Sequence, residues 1–421
     1  MNFKALSKSI FQILLLVLAG EANFILPFVI PRVFRPTVLE AFQLSNTELG
    51  ICFSVYGIVA MISYVFGGGI ADRFAPRYLM AISLVMTALG GFYFASYPNF
   101  EMLCFLYGYW GFTTIFLFWA AMIKATRLWG GNQTQGLAFG LLDGGRGLVA
   151  FSFGFIGLAV FSYYLNDTLV ESSLANLRSS FELVLQTCTV LIILIAVFVF
   201  LFIKTDQSND AVQRDSFSDI LINYRSVVKL PSVYLLMVIV LCAYSGYKIT
   251  DIYSQFANEI MGYNQEEAAQ LGTNLLGIRI VIGVVAGLLA DRFNAGIMMV
   301  LGFGITLVGA MLFASGYVSG GHVLLFLTSI ILTALGVYAI RTLYFAAVHE
   351  GKIPIYATGT AVGIISLIGY TPDVFMGPLI GYFLDGYIGL LGFQLVFGSL
   401  AVFSLIGLVF SFLFLRLNKP A

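Results

Sequence analysis

Charged side chains are scarce in this chain. Asp, Glu, Lys and Arg make up 10% of it, and 21 bases balance 21 acids. A zero net charge lacks the basic footprint that a nucleic-acid partner requires. Histidine occurs only at His322 and His349, each near the end of an apolar run. No H-E-x-x-H, G-x-S-x-G or P-loop pattern is present, which excludes the common metalloprotease, hydrolase and nucleotide motifs. An enzyme is therefore not expected, and neither are a metal, a cofactor or the use of ATP. The four cysteines, Cys52, Cys104, Cys188 and Cys242, all lie inside apolar runs. They read as small buried residues, not as a disulfide frame or a metal cluster. A cleavable leader is not expected, because the first apolar run is full length and lacks a clear small-residue cleavage site.

What fills the chain is apolar. It is 60% hydrophobic with 40 Phe, and its mean hydropathy is +0.95. No aqueous core hides that much apolar surface, so the solvent must be lipid. A spanning helix takes about 20 residues, and the 421 residues hold about a dozen with short connections. The runs fall at Phe11–Ile30, Leu49–Ala71, Tyr78–Ser96, Met102–Leu128, Gly136–Tyr164 and Glu182–Lys204. After a break come Val233–Ile260, Ala269–Ala290, Gly296–Tyr317, Val323–Val348, Tyr356–Tyr382 and Leu390–Leu415. They are apolar throughout rather than alternating, which excludes a barrel. The one long polar insertion, Lys204 to Ser232, separates the sixth run from the seventh. It divides the chain into a bundle over 1–204, a linker over 205–232 and a bundle over 233–421. Within the linker, Phe217 to Val228 is amphipathic enough to rest on a membrane surface.

Basic residues set the expected orientation. With the N-terminus inside, the inner loops and helix ends hold Lys4, Lys8, Arg73, Arg77, Lys124, Arg127, Lys204, Arg214, Arg225, Lys229, Arg292, Lys352, Arg416 and Lys419. The outer side holds Arg32, Arg35 and Arg178. That bias puts both termini in the cytoplasm.

The two halves repeat. "GGGIADRFAPR" at Gly67 to Arg77 is echoed by "GLLADRF" at Gly287 to Phe293, each closing an apolar run. "QGLAFG" (Gln135–Gly140) is echoed by "TGTAVG" (Thr358–Gly363), and Gly283-x-x-x-Gly287 adds a third small-residue pair. Such spacing is expected to serve close helix packing in lipid. "MIKATR" and "AIRTLY" stand at matching places and pair Lys124 with Arg341.

With these motifs the sequence resembles the major facilitator superfamily over its whole length. The signature between helices 2 and 3 is read at Gly68, Asp72, Arg73 and Arg77, and its second copy at Gly287, Asp291 and Arg292. The second copy lacks the final base. The resemblance implies an all-α polytopic membrane protein whose twelve helices form two pseudo-symmetric six-helix bundles around a cavity. It also implies that Asp72 caps a helix start in the other half, near Tyr356, as part of an inner gate. A carboxylate is stabilised at the positive end of a helix. The exporter Gly-Pro repeat of helix 5 and the sugar-porter Pro-Glu-Ser motif are both absent. "KATRLWGG" and "QGLAFG" are loosely similar to the branch of organophosphate and organic-anion permeases.

A charge in mid-membrane costs about 2.5–3.5 kcal/mol on the insertion scale. Helix 1 carries Glu21, helix 5 Asp143 and Arg146, helix 7 Lys248 and Asp251, helix 8 Arg279, helix 10 Arg341 and helix 11 Asp373; Lys124 lies in the inner third of helix 4. Asp143 with Arg146 and Lys248 with Asp251 stand three apart and share a helix face. Each pair reads either as neutralised structure or as functional groups, Arg146 and Lys248 toward solute and Asp143 and Asp251 toward protons. Arg279, Arg341 and Lys124 join the candidate solute ligands. Subtracting both pairs leaves Glu21 and Asp373 against Arg279, Arg341 and Lys124, a basic excess that favours an anion or a zwitterion. Glu21 has no base within reach on its own helix. An unpaired carboxylate in low dielectric takes up a proton readily, as a coupling site must. Asp373 is the second candidate, because Pro372 and Pro378 break helix 11. Tyr244 and Tyr338 flank these charges and could bind solute through their hydroxyls. Helices 1, 4, 7 and 10 line the cavity in this family, and Trp119 is placed to face it. Trp110 and Trp129 read as interface-belt residues.

The expected function is secondary active transport of a small polar solute, an organic anion or zwitterion, coupled to protons or to solute exchange. The expected setting is a monomer in a bacterial inner membrane, with solute, protons and lipid as its partners. An exporter of amphipathic compounds or lipids and a non-transporting sensor on the same fold are the two alternatives.

Overall fold

The computed structural model describes residues 3–130, 135–167, 174–203, 227–344, 347, 350–353 and 358–418. Of the helical residues 3–9, 65, 72, 135–137, 139, 143, 165–167, 291 and 358–360, only the backbone is described. Among the described residues, twelve helices are long and apolar enough to cross a membrane. They are α1 (Ile10–Val33), α2 (Asn46–Tyr64), α3 (Pro76–Ala95), α4 (Phe100–Gly130), α5 (Gly140–Tyr164), α6 (Leu174–Phe202), α7 (Pro231–Glu259), α8 (Gln265–Ala290), α9 (Ala295–Ala314), α10 (Val323–Leu343), α11 (Ala361–Gly386) and α12 (Leu390–Asn418). No strand occurs among the described residues. The fold class is the expected one.

Helix starts follow local chemistry. Ser45 opens α2 with a reciprocal box: its hydroxyl accepts from Glu48 N at 3.1 Å, and the Glu48 carboxylate accepts from Ser45 N at 2.8 Å. α3 and α7 begin at Pro76 and Pro231, where a missing N–H costs nothing. Asn294 opens α9, and the carboxylate of Glu350 accepts from Ala295 N and Gly296 N at 2.6 and 3.1 Å. That carboxylate satisfies two donors that the helix itself leaves open.

Several spans are irregular inside. α1 widens to a π-helical turn at Ile25–Val29, around Pro27, which has no N–H to donate. α4 is π-helical over Phe112–Trp119. There the Ser83 hydroxyl donates to Thr113 O at 2.6 Å, and the Thr114 hydroxyl donates to Trp110 O at 2.6 Å. α7 tightens to a 3₁₀ turn at Thr250–Ile252. α11 is two helices, Thr358–Gly369 and Pro372–Gly386, as its prolines foretold. Three of these four breaks lie within a turn or so of an intramembrane charge: Glu21, Lys248 and Asp373.

Contacts group the chain into two compact units. The first takes 1–208 with 263–280, and the second takes 209–262 with 281–421. The division expected between α6 and α7 runs through covalent order alone, whereas the grouping also divides α8. Within the first unit, Gly272 lies against the Val33 backbone, Gly154 against Thr273, and Gly277 against the Phe151 ring. Gln265 is hydrogen-bonded to Thr37 and to Glu40.

One packing expectation is corrected. Trp110 is not a belt residue: it is fully buried, its ring is edge-on to Phe94 and Tyr107, and its Nε1 donates to Thr87 O at 3.1 Å. Of the repeated small-residue motifs, a Cβ added at Gly283 would stand 3.4 Å from Thr342 Oγ1, whereas one at Gly140, Gly287 or Gly363 meets none of the described atoms within 4 Å. Close approach occurs at α9 and α10, where a Cβ on Gly336 would stand 2.5 Å from Gly302 O and 2.8 Å from Thr306 N.

Candidate functional site

In the first unit, α1 and α5 bring Glu21 and Arg146 together. Arg146 Nε donates to Glu21 Oε2 at 2.8 Å, with the two side chains 11% and 5% exposed. The guanidinium also lies 5.3 Å from the Phe24 ring and 5.5 Å from the Trp119 ring, and those rings meet edge to face. Arg146 is thus held by one carboxylate and two π faces. Asn23, fully buried two residues along α1 from Glu21, donates to Ser83 Oγ at 3.0 Å. The Ser83 hydroxyl donates in turn to the Thr113 backbone carbonyl, and the Thr113 and Thr87 hydroxyls are 2.9 Å apart.

In the second unit, α7 and α11 do the same with reversed sign. Lys248 Nζ stands 3.1 Å from Asp373 Oδ1. The Tyr244 hydroxyl donates to both Asp373 oxygens, at 3.0 and 3.2 Å. Asp373 sits in the first turn after the α11 break, where a carboxylate complements the helix dipole. Tyr370, in the break, lies edge-on to Tyr244 at 4.8 Å, and its hydroxyl is 3.2 Å from that of Tyr344. Arg341 of α10 places its guanidinium carbon 3.5 Å from the Tyr247 ring centroid, and Tyr247 stacks on Tyr244. Two cations, one carboxylate and four tyrosines thus form one cluster in which Arg341, Tyr244 and Asp373 stay partly exposed.

Each pair spans 125 residues of sequence, and one common shift along the chain carries Glu21 to Lys248 and Arg146 to Asp373. Acid and base have exchanged places between the two halves.

These pairs correct the sequence reading. Glu21 is not unpaired, because its base comes from another helix. Asp373 is not left over either, because Lys248 neutralises it. Spacing along one helix cannot see partners across a bundle. Asp251 is buried in the 3₁₀ turn after Lys248, and the side chain of Asp143 lies outside the described residues.

The other expected residues are dispersed. Lys124 Nζ donates to Ala71 O at 2.6 Å, so it holds the carbonyl end of the helix that carries the signature. Arg279 falls in the part of α8 that groups with the first unit. Tyr338 is buried within α10, three residues before Arg341. Of the signature, Arg73 is exposed, a Cβ added at Gly68 meets none of the described atoms within 4 Å, and Arg77 donates to the Tyr78 hydroxyl at 2.6 Å while lying over its ring. Arg292 lies over Phe293 at 5.5 Å. The side chains of Asp72 and Asp291, and Tyr356 altogether, lie outside the described residues. Sequence reasoning missed Tyr370 and Phe24. Tyr370 stands two residues before Pro372 and could have been found from the break; Phe24 carried no signal among so many phenylalanines.

The family model described as Major Facilitator Superfamily matches residues 13–372. The chain is 28% identical over 381 residues to the inner membrane protein YqcE of Escherichia coli K12, covering 87% of this chain and 85% of that one. It is 25% identical over 407 residues to the inner membrane protein YihN of the same organism, covering 96% and 94%. Among solved structures, a bacterial homologue of the human lysosomal transporter Spinster, inward-facing and unoccupied, is similar with a TM-score of 0.74 at 16% identity, covering 98% and 99% of the two chains. The nucleoside transporter NupG gives 0.65 at 16% identity with 100% of both chains covered. The transporter FucP in its outward conformation gives 0.64 at 17% identity with 98% and 99% covered. At these identities the likeness to solved structures is one of fold.

Proposed function

Because the chain belongs to the major facilitator superfamily, we propose that it is a secondary transporter of a small organic anion, with Lys248 and Arg341 as the anion-binding groups and Asp373 as the coupling acid. The observation that carries this reading is the Lys248–Asp373 contact at 3.1 Å, beside a partly exposed arginine on a tyrosine face. In low dielectric a cation keeps an anionic partner at all times, since leaving it alone is costly. An incoming carboxylate or phosphate can take Lys248 only if Asp373 gives it up. Protonation of Asp373 does this: an O–H bond forms, the ion pair breaks, and the solute anion replaces the carboxylate. Solute and proton then enter together or not at all. Arg341 offers a planar fork suited to either oxyanion, and the tyrosine rings supply an apolar wall with hydroxyl tips.

The test is uptake of a panel of organic anions into proteoliposomes, with and without an imposed pH gradient. Asp373→Asn is expected to lose gradient-driven accumulation while keeping exchange between equilibrated sides. Arg341→Ala is expected to lose anion binding, and Arg341→Lys to weaken it by roughly tenfold or more, the scale of one charge-assisted hydrogen bond. Accumulation by Asp373→Asn at the wild-type level would remove the coupling role. Unchanged affinity in Arg341→Ala would remove the anion site.

A further inference from the structure

A cavity of about 680 Å³ lies between the start of α7 and the end of α12, and its lining includes no member of either ion pair. We propose that it is a binding site for one anionic phospholipid, whose phosphate sits between Lys229 and Arg416 and whose acyl chain runs along Tyr234, Leu235, Leu413 and Leu417.

Three observations carry this. The first is charge: among the described residues, the two charged side chains that line the cavity are both cations, and no carboxylate lines it. The second is depth. Lys229 stands two residues before the α7 span begins at Pro231, and Arg416 two residues before the α12 span ends at Asn418. Both cations are therefore at the level where apolar span gives way to polar surroundings, which is where a lipid phosphate resides. The charge bias of the loops assigns this level to the cytoplasmic side, whose leaflet presents anionic headgroups to basic clefts between helices. The third is the wall. Tyr234, Leu413 and Leu417 are 49%, 43% and 46% exposed; Tyr234 and Leu413 lie further into their spans than the cations, and Leu417 stands beside Arg416. Arg416 is also held in place, because its guanidinium lies 4.5 Å from the Phe412 ring centroid. A free phosphate would use the cations and leave the wall uncovered; a neutral lipid would use the wall and leave two adjacent cations unanswered. A phospholipid with net negative charge uses both.

The experiment uses the full chain purified in detergent, with phosphatidylglycerol or phosphatidylcholine doped into the micelles. Retained lipid is counted by native mass spectrometry, and thermal unfolding is followed in parallel. Wild type is expected to retain phosphatidylglycerol roughly tenfold more than phosphatidylcholine, the order set by two interfacial cations, and to unfold at a higher temperature with it. Lys229→Gln with Arg416→Gln is expected to lose that preference. Leu413→Trp, which keeps both charges and fills the wall, is expected to lose it as well; this residue is exposed, so folding is not at stake. Arg127→Gln with Lys352→Gln, two exposed cations outside the cavity, is expected to keep it. Equal retention of the two lipids by wild type would overturn the proposal. So would a preference that survives both cavity variants, or one lost equally in the outside pair. A stabilisation reproduced by inorganic phosphate alone would also overturn it, because the ligand would then not be a lipid.

Discussion

At the scale of single residues, the intramembrane charges are governed by partnership. Glu21 and Arg146 are almost wholly buried and 2.8 Å apart. Removing one member of a buried pair strands the other and costs about 3–5 kcal/mol, whereas replacing both is often near neutral. Glu21→Gln is therefore expected to lower the unfolding temperature in detergent sharply. Glu21→Gln combined with Arg146→Met is expected to recover most of the loss, because methionine keeps the contact with Phe24 and Trp119 without a charge. If the double variant is no more stable than the single one, the two residues do not act as a pair. The charge census was readable in the sequence, residue by residue. The identity of each partner was not, since 125 residues separate acid from base in both pairs.

At the scale of elements, the informative places are where helices break and where they touch. The α11 break follows from Pro372, a residue that cannot donate to the preceding turn. The π-helical turns in α1 and α4 had no comparably clear signature, although Pro27 marks the first. Helix contacts were legible only in part: glycine spacing pointed to Gly283, where a Cβ would stand 3.4 Å from Thr342 Oγ1, and to Gly287, whereas the tightest crossing among the described glycines of α9 and α10 is at Gly336. Gly336→Ala would push a Cβ into backbone at 2.5 Å. The helices must then part, at an overpacking cost of about 1–3 kcal/mol. Gly287→Ala meets none of the described atoms within 4 Å and is expected to leave the unfolding temperature unchanged or slightly higher, since alanine favours helix by about 1 kcal/mol. Equal effects of the two substitutions would show that the α9–α10 crossing yields easily.

At the scale of the whole molecule, the topology can be tested directly. The excess of Lys and Arg at alternate helix ends predicts a cytoplasmic location for both termini and for the 205–232 linker. Single cysteines introduced at Ser208 and at Ser319 of an otherwise cysteine-free chain are expected to react with an impermeant thiol reagent from opposite faces of right-side-out vesicles, Ser319 from outside. Labelling of both positions from one face would reject the orientation. In the same vesicles the transport reading separates from its rivals. A transporter moves its anion across the bilayer, a sensor binds it without flux, and a carrier of amphiphiles moves lipid-like probes alone.

What the sequence by itself determined is what depends on local composition and repetition. Apolar runs of spanning length, the absence of catalytic motifs and the duplicated A-D-R-F phrase were enough for an all-α membrane protein of twelve helices and for its family. Each of these is written within a few tens of neighbouring residues. Only the tertiary structure decided the partners. It joined Glu21 to Arg146 and Lys248 to Asp373, moved Trp110 from the interface into the core, turned Lys124 onto a helix end and set Arg341 on Tyr247. The physical reason is that a helix displays every side chain around its axis, and which face meets which neighbour depends on packing between segments far apart in the chain. Hydropathy records that a residue is in the membrane. It does not record what stands opposite.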